Sequence, residues 1–324
     1  MTQHLRRRSF IAGTLALGTG VTAVHAAEPY PSRPIELVVP YGPGGASDVI
    51  ARAIAEPLQK ALGQTVVVMN RAGGNTAIAG AQLARSRNDG YQLMLADVAL
   101  LLNAAIRTTS PGYNAEQDFH PVGLVGTGPF VLLVPASGSK TLAEFLACGK
   151  EKGVTIGNSG QGSLGHLAGE LLGQRTGVRV THVPYKGSGP AMNETMAGHV
   201  DATFGSTASG MPLVASGRLR ALAVASPMPL KDFPQVPTFD QLGIQDVHVQ
   251  NWWGVIGPAG MDPAIVARLS TALRQTVADP KTRDRFTALG VEPAPLPAGE
   301  FATLMKSDFT RWREVVRRSG ISVE

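Results

Sequence analysis

Apolar residues along the chain form two kinds of segment that alternate. The segment 35–40 is a continuous apolar run of strand length. From Val49 to Leu62 the apolar residues recur every three or four positions, which predicts a helix that Gly63 ends. Further strands are predicted at 65–69, 91–96, 154–157, 178–183, 202–204, 219–225 and 252–257, and further helices at 77–85, 98–106, 164–174, 190–197, 262–277, 281–289 and 298–318. This alternation predicts an α/β fold with mostly parallel sheets flanked by helices.

The strand–helix pattern occurs in two sets, and each set opens with a glycine-rich loop before a helix. A strand-like run at 122–134, interrupted around 126–129, precedes the second set, and the strand that begins at Trp252 follows it. These two segments are predicted to cross between two lobes. We expect residues 27–128 and 246–324 to form lobe I and residues 129–245 to form lobe II. Ligands of open α/β sheets bind beyond the carboxyl ends of the strands, so the cleft between the lobes is the expected binding site.

The first 26 residues are expected to be an export signal. They combine a basic start, an apolar middle and the small-residue end Val24-His25-Ala26, which predicts cleavage after Ala26 and a periplasmic location. Arg7-Arg8 fits a twin-arginine signal, but a general secretory signal also starts with basic residues. Removing Arg6–Arg8 takes three charges from the formal +5 and leaves +2, so the charge does not indicate nucleic-acid binding.

The first glycine-rich loop has the composition of an anion site. It reads Tyr41-Gly42-Pro43-Gly44-Gly45-Ala46-Ser47-Asp48 and leads into the first predicted helix. Its glycines let a ligand approach the backbone, and the helix N-terminus adds N–H groups and a partial positive charge that favour a carboxylate or phosphate. The loop matches neither the dinucleotide fingerprint nor the phosphate-binding P-loop. The alternative interpretation is a tight turn in which Ser47 or Asp48 caps the helix.

A second loop, Gly157–Ser163, repeats this arrangement ahead of the helix 164–174. Two helix ends, one from each lobe, can hold one anion from both sides. His166 lies in the first turn of this helix and is either part of the site or a packed histidine. Neither Ser159 nor Ser163 lies in a G-x-S-x-G motif, and no two histidines have the spacing of a zinc pair. The sequence therefore predicts no catalytic residue, no metal and no cofactor.

Three further polar residues have two interpretations each. Tyr185 and Lys186 follow a predicted strand, where they either contact a ligand or form an exposed aromatic turn. Asp97 precedes the helix 98–106, where it is either the helix cap or an acceptor for a hydroxyl or amine of a ligand.

Eight segments are specific enough, taken together, to be compared with a known family. They are PYPSRPIELVVPYGPGGASDVIAR, GQTVVVMNRAGGNTAIAG, DGYQLMLA, HLAGELL, VTHVPYKGSGPA, GRLRALAVAS, VPTFDQLG and NWWGVIGPAGMDPAIVARL. In this order they resemble the Bug family, the extracytoplasmic solute receptors of tripartite tricarboxylate transport systems. The resemblance implies a monomeric two-lobe periplasmic binding protein that closes on a small organic carboxylate and presents it to a membrane permease.

The resemblance also implies which residues bind the carboxylate. In the family, backbone N–H groups and ordered waters at two helix ends hold this group. Carried over by position, the lobe I half of the site is Tyr41, Gly42, Gly44, Gly45, Ala46, Ser47 and Asp48. The lobe II half is Ser159, Gly160, Ser163 and His166, and Asn75, Tyr185 and Lys186 are expected nearby.

The chain departs from the family pattern at the expected far end of the ligand. Ala96-Asp97-Val98-Ala99 stands where the family is rich in serine, threonine or glycine, and Phe204-Gly205-Ser206-Thr207 replaces a Phe-Asp or Phe-Asn sequence. Asp97, Gly205 and Ser206 are therefore expected to face the ligand. Because Asp97 would repel a nearby second carboxylate, we expect a monocarboxylate or an acid with a hydroxyl, amine or ring nitrogen. The alternative function is an exported α/β hydrolase acting on acidic substrates, which the missing nucleophile–base motif disfavours.

Overall fold

The computed structural model describes residues 30–107 and 109–319, so the expected export signal at 1–26 lies outside the described residues. The strands are β1 (Ile35–Val39), β2 (Val66–Asn70), β3 (Gln92–Asp97), β4 (Phe119–Pro135), β5 (Val154–Asn158), β6 (Val180–Pro184), β7 (Ala202–Ser206), β8 (Leu219–Val224), β9 (Gln250–Pro258) and β10 (Glu292–Pro293). The helices are α1 (Ala46–Leu62), α2 (Ala77–Ala84), α3 (Val98–Ile106), α4 (Leu142–Lys152), α5 (Leu164–Thr176), α6 (Ser188–Met196), α7 (Thr207–Ala215), α8 (Pro263–Ala278), α9 (Pro280–Ala288) and α10 (Ala298–Ser319). Within the described ranges, no helix has both the length and the apolar character that a membrane span requires.

Lobe I is built on three parallel strands. β1 lies between β2 and β3, with Ile35 opposite Val66 and Glu36 opposite Gln92. Leu37 contacts the cluster that includes α1 and α8, whereas Val38 belongs to the cluster that includes α3 and α10. Both faces of β1 are therefore covered by helices, and this explains why its sequence is continuously apolar instead of alternating.

Lobe II repeats this arrangement. β5 lies between β6 and β7 and runs parallel to both, with Ile156 opposite His182 on one side and Ala202 on the other. β4 pairs antiparallel with β7 and β8, and β9 pairs antiparallel with β3 and β4. Among the ten strands, parallel pairing is thus confined to the three outer strands of each lobe, and the strands between the lobes pair antiparallel in one curled sheet.

β4 connects the lobes without a break. Its residues from Phe119 to Pro129 pair with β9, and Phe130–Leu133 pair with β7. The interruption expected at 126–129 is therefore wrong. Gly126 lies against β10, where an added Cβ would come within 2.9 Å of the Glu292 carbonyl oxygen, so the residue permits close packing and does not end the strand. The lobe boundaries at 128/129 and 245/246 stay a prediction.

α4 has no counterpart among the helices predicted from the sequence, although its start carries a recognisable signal. Thr141 caps the helix by accepting a hydrogen bond from the Glu144 N–H at 3.2 Å, and the Glu144 carboxylate accepts one from the Lys140 N–H at 2.7 Å. This Thr-x-x-Glu sequence has the spacing of a capping box. By contrast, the predicted end of α1 is confirmed, since Gly63 adopts the left-handed conformation with φ +71°.

Candidate ligand-binding cleft

The loops that connect strands to helices bring five helix N-termini to one chamber, which we call the inner chamber. α1, α3, α5, α6 and α7 each follow a strand directly, and the carboxyl ends of these strands meet between the lobes. Lobe I contributes Tyr41, Ala46, Ser47, Asp97 and Ala99 to its lining. Lobe II contributes Ser159, Leu164, Ser188, Phe204 and Ser206, and the crossing strands contribute Phe130 and Asn251. The chamber therefore collects the partial positive charges of helices from both lobes.

The inner chamber offers backbone N–H groups, and no cationic side chain, to a possible anion. Its lining, as far as the described residues define it, contains no lysine, arginine or histidine. Asp97 caps α3 and Ser163 caps α5, but no side chain of the described residues caps α1, α6 or α7. The first-turn N–H groups of these three helices have no intrahelical partner, so they are suited to a bound anion.

Asp97 is both the cap of α3 and part of the inner chamber. Its Oδ1 accepts hydrogen bonds from the Tyr41 hydroxyl at 3.0 Å and the Ala99 N–H at 3.0 Å, and its Oδ2 lies 3.5 Å from the Ser47 hydroxyl. Burial raises the pKa of Asp97 to about 6, although the hydrogen bonds from Tyr41, Ala99 and others oppose this rise. The pKa of Tyr41 is also raised, first by burial and then by the Asp97 carboxylate. The helix-cap interpretation is therefore correct, and a ligand contact stays a prediction.

The Asp48 side chain is not part of the lining of the inner chamber. Its carboxylate accepts hydrogen bonds from the Gly44 N–H at 3.0 Å and the Asn70 amide at 2.9 Å, and it forms an ion pair with Arg52 at 3.0 Å. Burial alone would raise the pKa of Asp48, but the hydrogen bonds from Arg52, Gly44 and Asn70 together lower it. These contacts hold the loop in shape, and a ligand contact of Asp48 stays a prediction.

Ser163 and His166 lie behind the inner chamber instead of lining it. His166 Nδ1 accepts a hydrogen bond from the Gly162 N–H at 2.9 Å, so the neutral imidazole carries its proton on Nε2. His166 packs edge-on against His182 with 4.2 Å between ring centroids. Burial, with a smaller contribution from His182, lowers the pKa of His166 to about 4. His166 thus supports the loop 159–163 as a packed, neutral histidine.

Glu170 completes a polar cluster with these two histidines. Its Oε1 lies 3.0 Å from His182 Nε2 and 3.9 Å from His166 Nε2, and the three side chains are close enough to share a metal ion. A histidine that binds a metal through Nε2 usually donates its Nδ1 proton to an acceptor. Here His166 Nδ1 is itself an acceptor, so the proton of the neutral ring is on Nε2. This protonation disfavours a metal centre that would use His166 Nε2.

A second chamber, which we call the mouth chamber, adjoins the inner one. Lobe I contributes Pro40, Tyr41, Gly73, Gly74, Asn75 and Arg107 to its lining. Lobe II contributes Ser159, Gly160, Gln161, Tyr185 and Lys186. Tyr41 and Ser159 line both chambers, so the two chambers are neighbours in the cleft. Besides these two, the expected site residues Asn75, Gly160, Tyr185 and Lys186 lie here.

The glycines of the first loop bring the two lobes together instead of lining the chambers. The Gly42 N–H donates a hydrogen bond across the cleft to the Lys186 carbonyl at 3.3 Å. A Cβ at Gly45 would lie 2.8 Å from the Ser188 hydroxyl, and Gly44 has a positive φ of +81°. Gly205 faces Met192, where a Cβ would lie 2.2 Å from its methyl carbon, so this residue is packed behind the chamber. Ser206 does line the inner chamber, as expected.

Sequence reasoning missed several lining residues for identifiable reasons. Phe130 and Asn251 belong to the crossing strands, where no local motif marks a ligand contact. Arg107 directly follows the last residue of α3 and had no visible relation to the loops. Ser188 could have been found, because it is the first residue of a helix that follows β6, as Ala46 and Leu164 are in their helices.

This fold and cleft define a periplasmic binding protein, in which two α/β lobes joined by crossing strands enclose a ligand site. The sequence pattern of the "Tripartite tricarboxylate transporter family receptor" family matches residues 50–321. The chain belongs to this family, and the resemblance to the Bug proteins is confirmed. Its relatives are solute receptors, so the hydrolase alternative has no support.

Individual relatives agree with this assignment along almost the whole chain. "Protein BugT" of Bordetella pertussis is 34% identical over 99% of this chain and 100% of its own length. The structure of "periplasmic binding protein BugD" is 31% identical, with a TM-score of 0.87 over 91% of this chain and 100% of that one. The structure titled "R. palustris Rpa4515 with adipate" is 29% identical, with a TM-score of 0.86 over 90% of this chain and 99% of that one.

Proposed function

We propose that this protein is a periplasmic receptor that binds a small organic carboxylate between its lobes and delivers it to the membrane components of a tripartite tricarboxylate transporter. The observation that carries the proposal is the meeting of five helix N-termini, from both lobes, at a chamber whose described lining has no cationic side chain. Such a chamber recognises an anion by its backbone. The adipate-bound relative is consistent with this class of ligand.

The carboxylate receives its hydrogen bonds from the uncapped helix ends. α1 begins at Ala46 in lobe I, and α6 begins at Ser188 in lobe II, so both lobes supply free N–H groups. Hydrogen bonds to a charged acceptor contribute about 1.5–3 kcal/mol each. A single ligand contact in each lobe therefore stabilises the closed arrangement, and separating the lobes removes half of the contacts and releases the ligand.

The rest of the inner chamber suits the body of an organic acid. Phe130, Leu164 and Phe204 provide apolar walls, and Ser206 and Asn251 provide hydrogen-bonding groups. Above a pH of about 6 the Asp97 carboxylate is ionised and repels a second carboxylate placed beside it. The inner chamber thus accepts one carboxylate. We further propose that the receptor acts as a monomer and reaches the periplasm through the signal at 1–26, by either the twin-arginine or the general secretory route.

The test is a thermal-shift screen of residues 27–324 against carboxylic acids, after unfolding and refolding to remove any co-purified acid. An acid present at 100 times its dissociation constant should stabilise the protein by about 2.7 kcal/mol. Ala46→Asp places a negative charge in the chamber at the first residue of α1, a position where helices favour an acid. This variant should fold but lose the shift.

Ala264→Asp is the matched control, since it makes the same change in the exposed first turn of α8. It should keep the ligand-induced shift of the wild type. If no acid stabilises the wild type, or if Ala46→Asp responds as strongly as Ala264→Asp, the proposed carboxylate site is wrong.

A further inference from the structure

Asp97 and the proposed anion site share one small chamber that has no cation of its own. The inner chamber has a volume of about 30 Å³, and Asp97 lines it together with Ala46 and Ser47 of the first turn of α1. A carboxylate that binds this helix end therefore lies close to the Asp97 carboxyl group. The cations of the cleft, Arg107 and Lys186, line the mouth chamber instead. Two carboxylates that share such a site cannot both stay ionised easily, and one of them is favoured to hold a proton.

The hydrogen bonds around an ionised Asp97 leave no hydroxyl proton for a ligand. The Tyr41 hydroxyl donates to Asp97 Oδ1 at 3.0 Å, and the Ser47 hydroxyl donates to Oδ2 at 3.5 Å. The Trp253 indole N–H in turn donates to the Ser47 oxygen at 3.2 Å. Because a hydroxyl has only one proton, Tyr41 and Ser47 then present only lone pairs to the chamber. This pattern opposes a carboxylate, which can only accept hydrogen bonds.

A proton on Asp97 Oδ2 reverses one of these hydrogen bonds. The carboxyl group would then donate to the Ser47 oxygen, which still accepts from the Trp253 indole, and the Ser47 proton would turn towards the chamber. With two hydrogen bonds accepted and one donated, the hydroxyl is fully satisfied. The proton comes from the solvent and stays on Asp97, and Ser47 only rotates about its Cβ–Oγ bond. Ser47 thereby becomes a donor to the ligand, beside the N–H groups of α1.

The other titratable groups around the chamber do not change their charge near neutral pH. Burial raises the pKa values of Tyr41 and Tyr113, the two tyrosines that interact with Asp97, above their usual value of 10, so both stay neutral. His166, behind the chamber, has a pKa lowered to about 4 by burial and is also neutral. Asp48 has a lowered pKa and stays ionised. Among these groups, only Asp97, with its pKa raised to about 6, titrates in this range.

We propose that the receptor takes up one proton on Asp97 when it binds a carboxylate in the inner chamber, and that the Ser47 hydroxyl carries the effect of this proton to the ligand. This inference rests on the proposed function. Asp97 is the only carboxylic acid in the lining formed by the described residues, so one proton compensates the charge of one bound carboxylate. A lower pH then favours capture of the acid, and a higher pH favours its release.

The first test is titration calorimetry of the wild type in buffers of different ionisation enthalpy, on protein freed of co-purified acid. The probes are adipate, pentanoate and the acid that gives the largest shift in the thermal screen. At pH 7, the dependence of the binding enthalpy on the buffer should report an uptake of about 0.5 to 1 proton per bound acid. Since such acids are ionised at pH 6.5 and above, the dissociation constant should rise about 10- to 20-fold between pH 6.5 and pH 8.

Asp97→Asn should abolish both effects. Its amide group would donate to Ser47 as the protonated carboxyl group does, so this variant should take up no proton. At pH 8 it should bind the acid about 10-fold or more tightly than the wild type does. Asp284→Asn removes an exposed carboxylate of α9 and is the matched control, which should keep the proton uptake of the wild type. Ser47→Ala should weaken binding more at pH 6.5 than at pH 8, because its hydroxyl donates to the ligand only when Asp97 is protonated.

The outcomes separate this inference from the proposed function. If an acid binds the wild type without proton uptake, or if Asp97→Asn keeps the pH dependence of the wild type, proton uptake by Asp97 is refuted while the proposed function stands. Equal weakening by Ser47→Ala at both pH values would refute the step through Ser47. If no acid binds at any pH, the proposed function fails as well.

Discussion

Replacing Asp97 with asparagine should remove a pH dependence from the stability of the protein. The folded-state pKa of this carboxyl group is about 6, against 3.8 for the free side chain. Between these two values the unfolded chain loses the proton while the folded protein keeps it, so the free energy of unfolding falls as the pH rises. The pKa difference of about 2.2 corresponds to about 3 kcal/mol in the free energy of unfolding. This contribution of Asp97 to the free energy of unfolding is fully present below pH 3.8 and is lost once the pH has risen through 6.

The asparagine side chain of the Asp97→Asn variant would resemble the protonated carboxyl group and would not titrate. The difference in unfolding free energy between Asp97→Asn and wild type should therefore shift by about 3 kcal/mol in favour of the variant between about pH 3.5 and about pH 8. The change with pH is the predicted quantity. A constant offset from altered hydrogen bonds to Tyr41 and Ser47 does not affect it.

Urea unfolding at a series of pH values measures this quantity. The protein must first be freed of bound acids, because a ligand would stabilise the folded state by mass action. Asp284→Asn, which removes an exposed carboxylate of α9, controls for the loss of one charge. Parallel pH curves for wild type and Asp97→Asn would refute the reasoning. So would a variant that loses stability relative to wild type as the pH rises, since that result means the ionised carboxylate stabilises the fold.

Two further substitutions test how the loops are held. Asp48→Ala should destabilise the protein by on the order of 2 kcal/mol at pH 7, because it removes the acceptor of the Gly44 N–H and one of the two acceptors of the Asn70 amide. Since the Asp48 pKa is lowered, this loss should shrink as the pH falls through the folded-state pKa, and a loss that is independent of pH would contradict it. Gly160→Ala should weaken carboxylate binding about 10-fold in calorimetry, because Gly160 has a φ of +138° and its added Cβ would press on Asn75 across the cleft. Gly198→Ala is its control, with a φ of +75° and open space around the Cβ, and equal loss of affinity in both variants would show that the lobe contact is irrelevant.

The loops of the cleft could be predicted from the sequence because their chemistry is local. A strand, a run of glycines and a helix are neighbours along the chain, and the helix N-terminus is an anion site wherever it is exposed. Ala46, Ser47 and Ser159 line the inner chamber for this reason. The direction in which a side chain of such a loop points depends on residues from other elements of the fold. The Asp48 carboxylate is held by Arg52 and Asn70, which are placed by α1 and by β2.

The remaining part of the cleft depends on tertiary structure. Phe130 and Asn251 come from β4 and β9, which are adjacent only after the two lobes have formed around them. The predicted interruption of β4 had a related cause, since Gly126 reads as a strand end in the sequence but accommodates β10 in the fold. Arg107 reaches the mouth chamber because Asn103 fixes it against the loop of Asn75, and these residues are 28 or more positions from that loop in the chain.

The division between backbone and side chains explains how one family can serve different acids. Backbone N–H groups at helix ends recognise a carboxylate whatever it is attached to, and a substitution in the loops does not remove them. Discrimination between acids must therefore come from side chains, and in this cleft the charged ones are separated: Asp97 inside, Arg107 and Lys186 at the mouth. Under the proposed function, an ionised Asp97 disfavours acids that would place two carboxylates in the inner chamber, so the side chains of the lining set which acids are accepted.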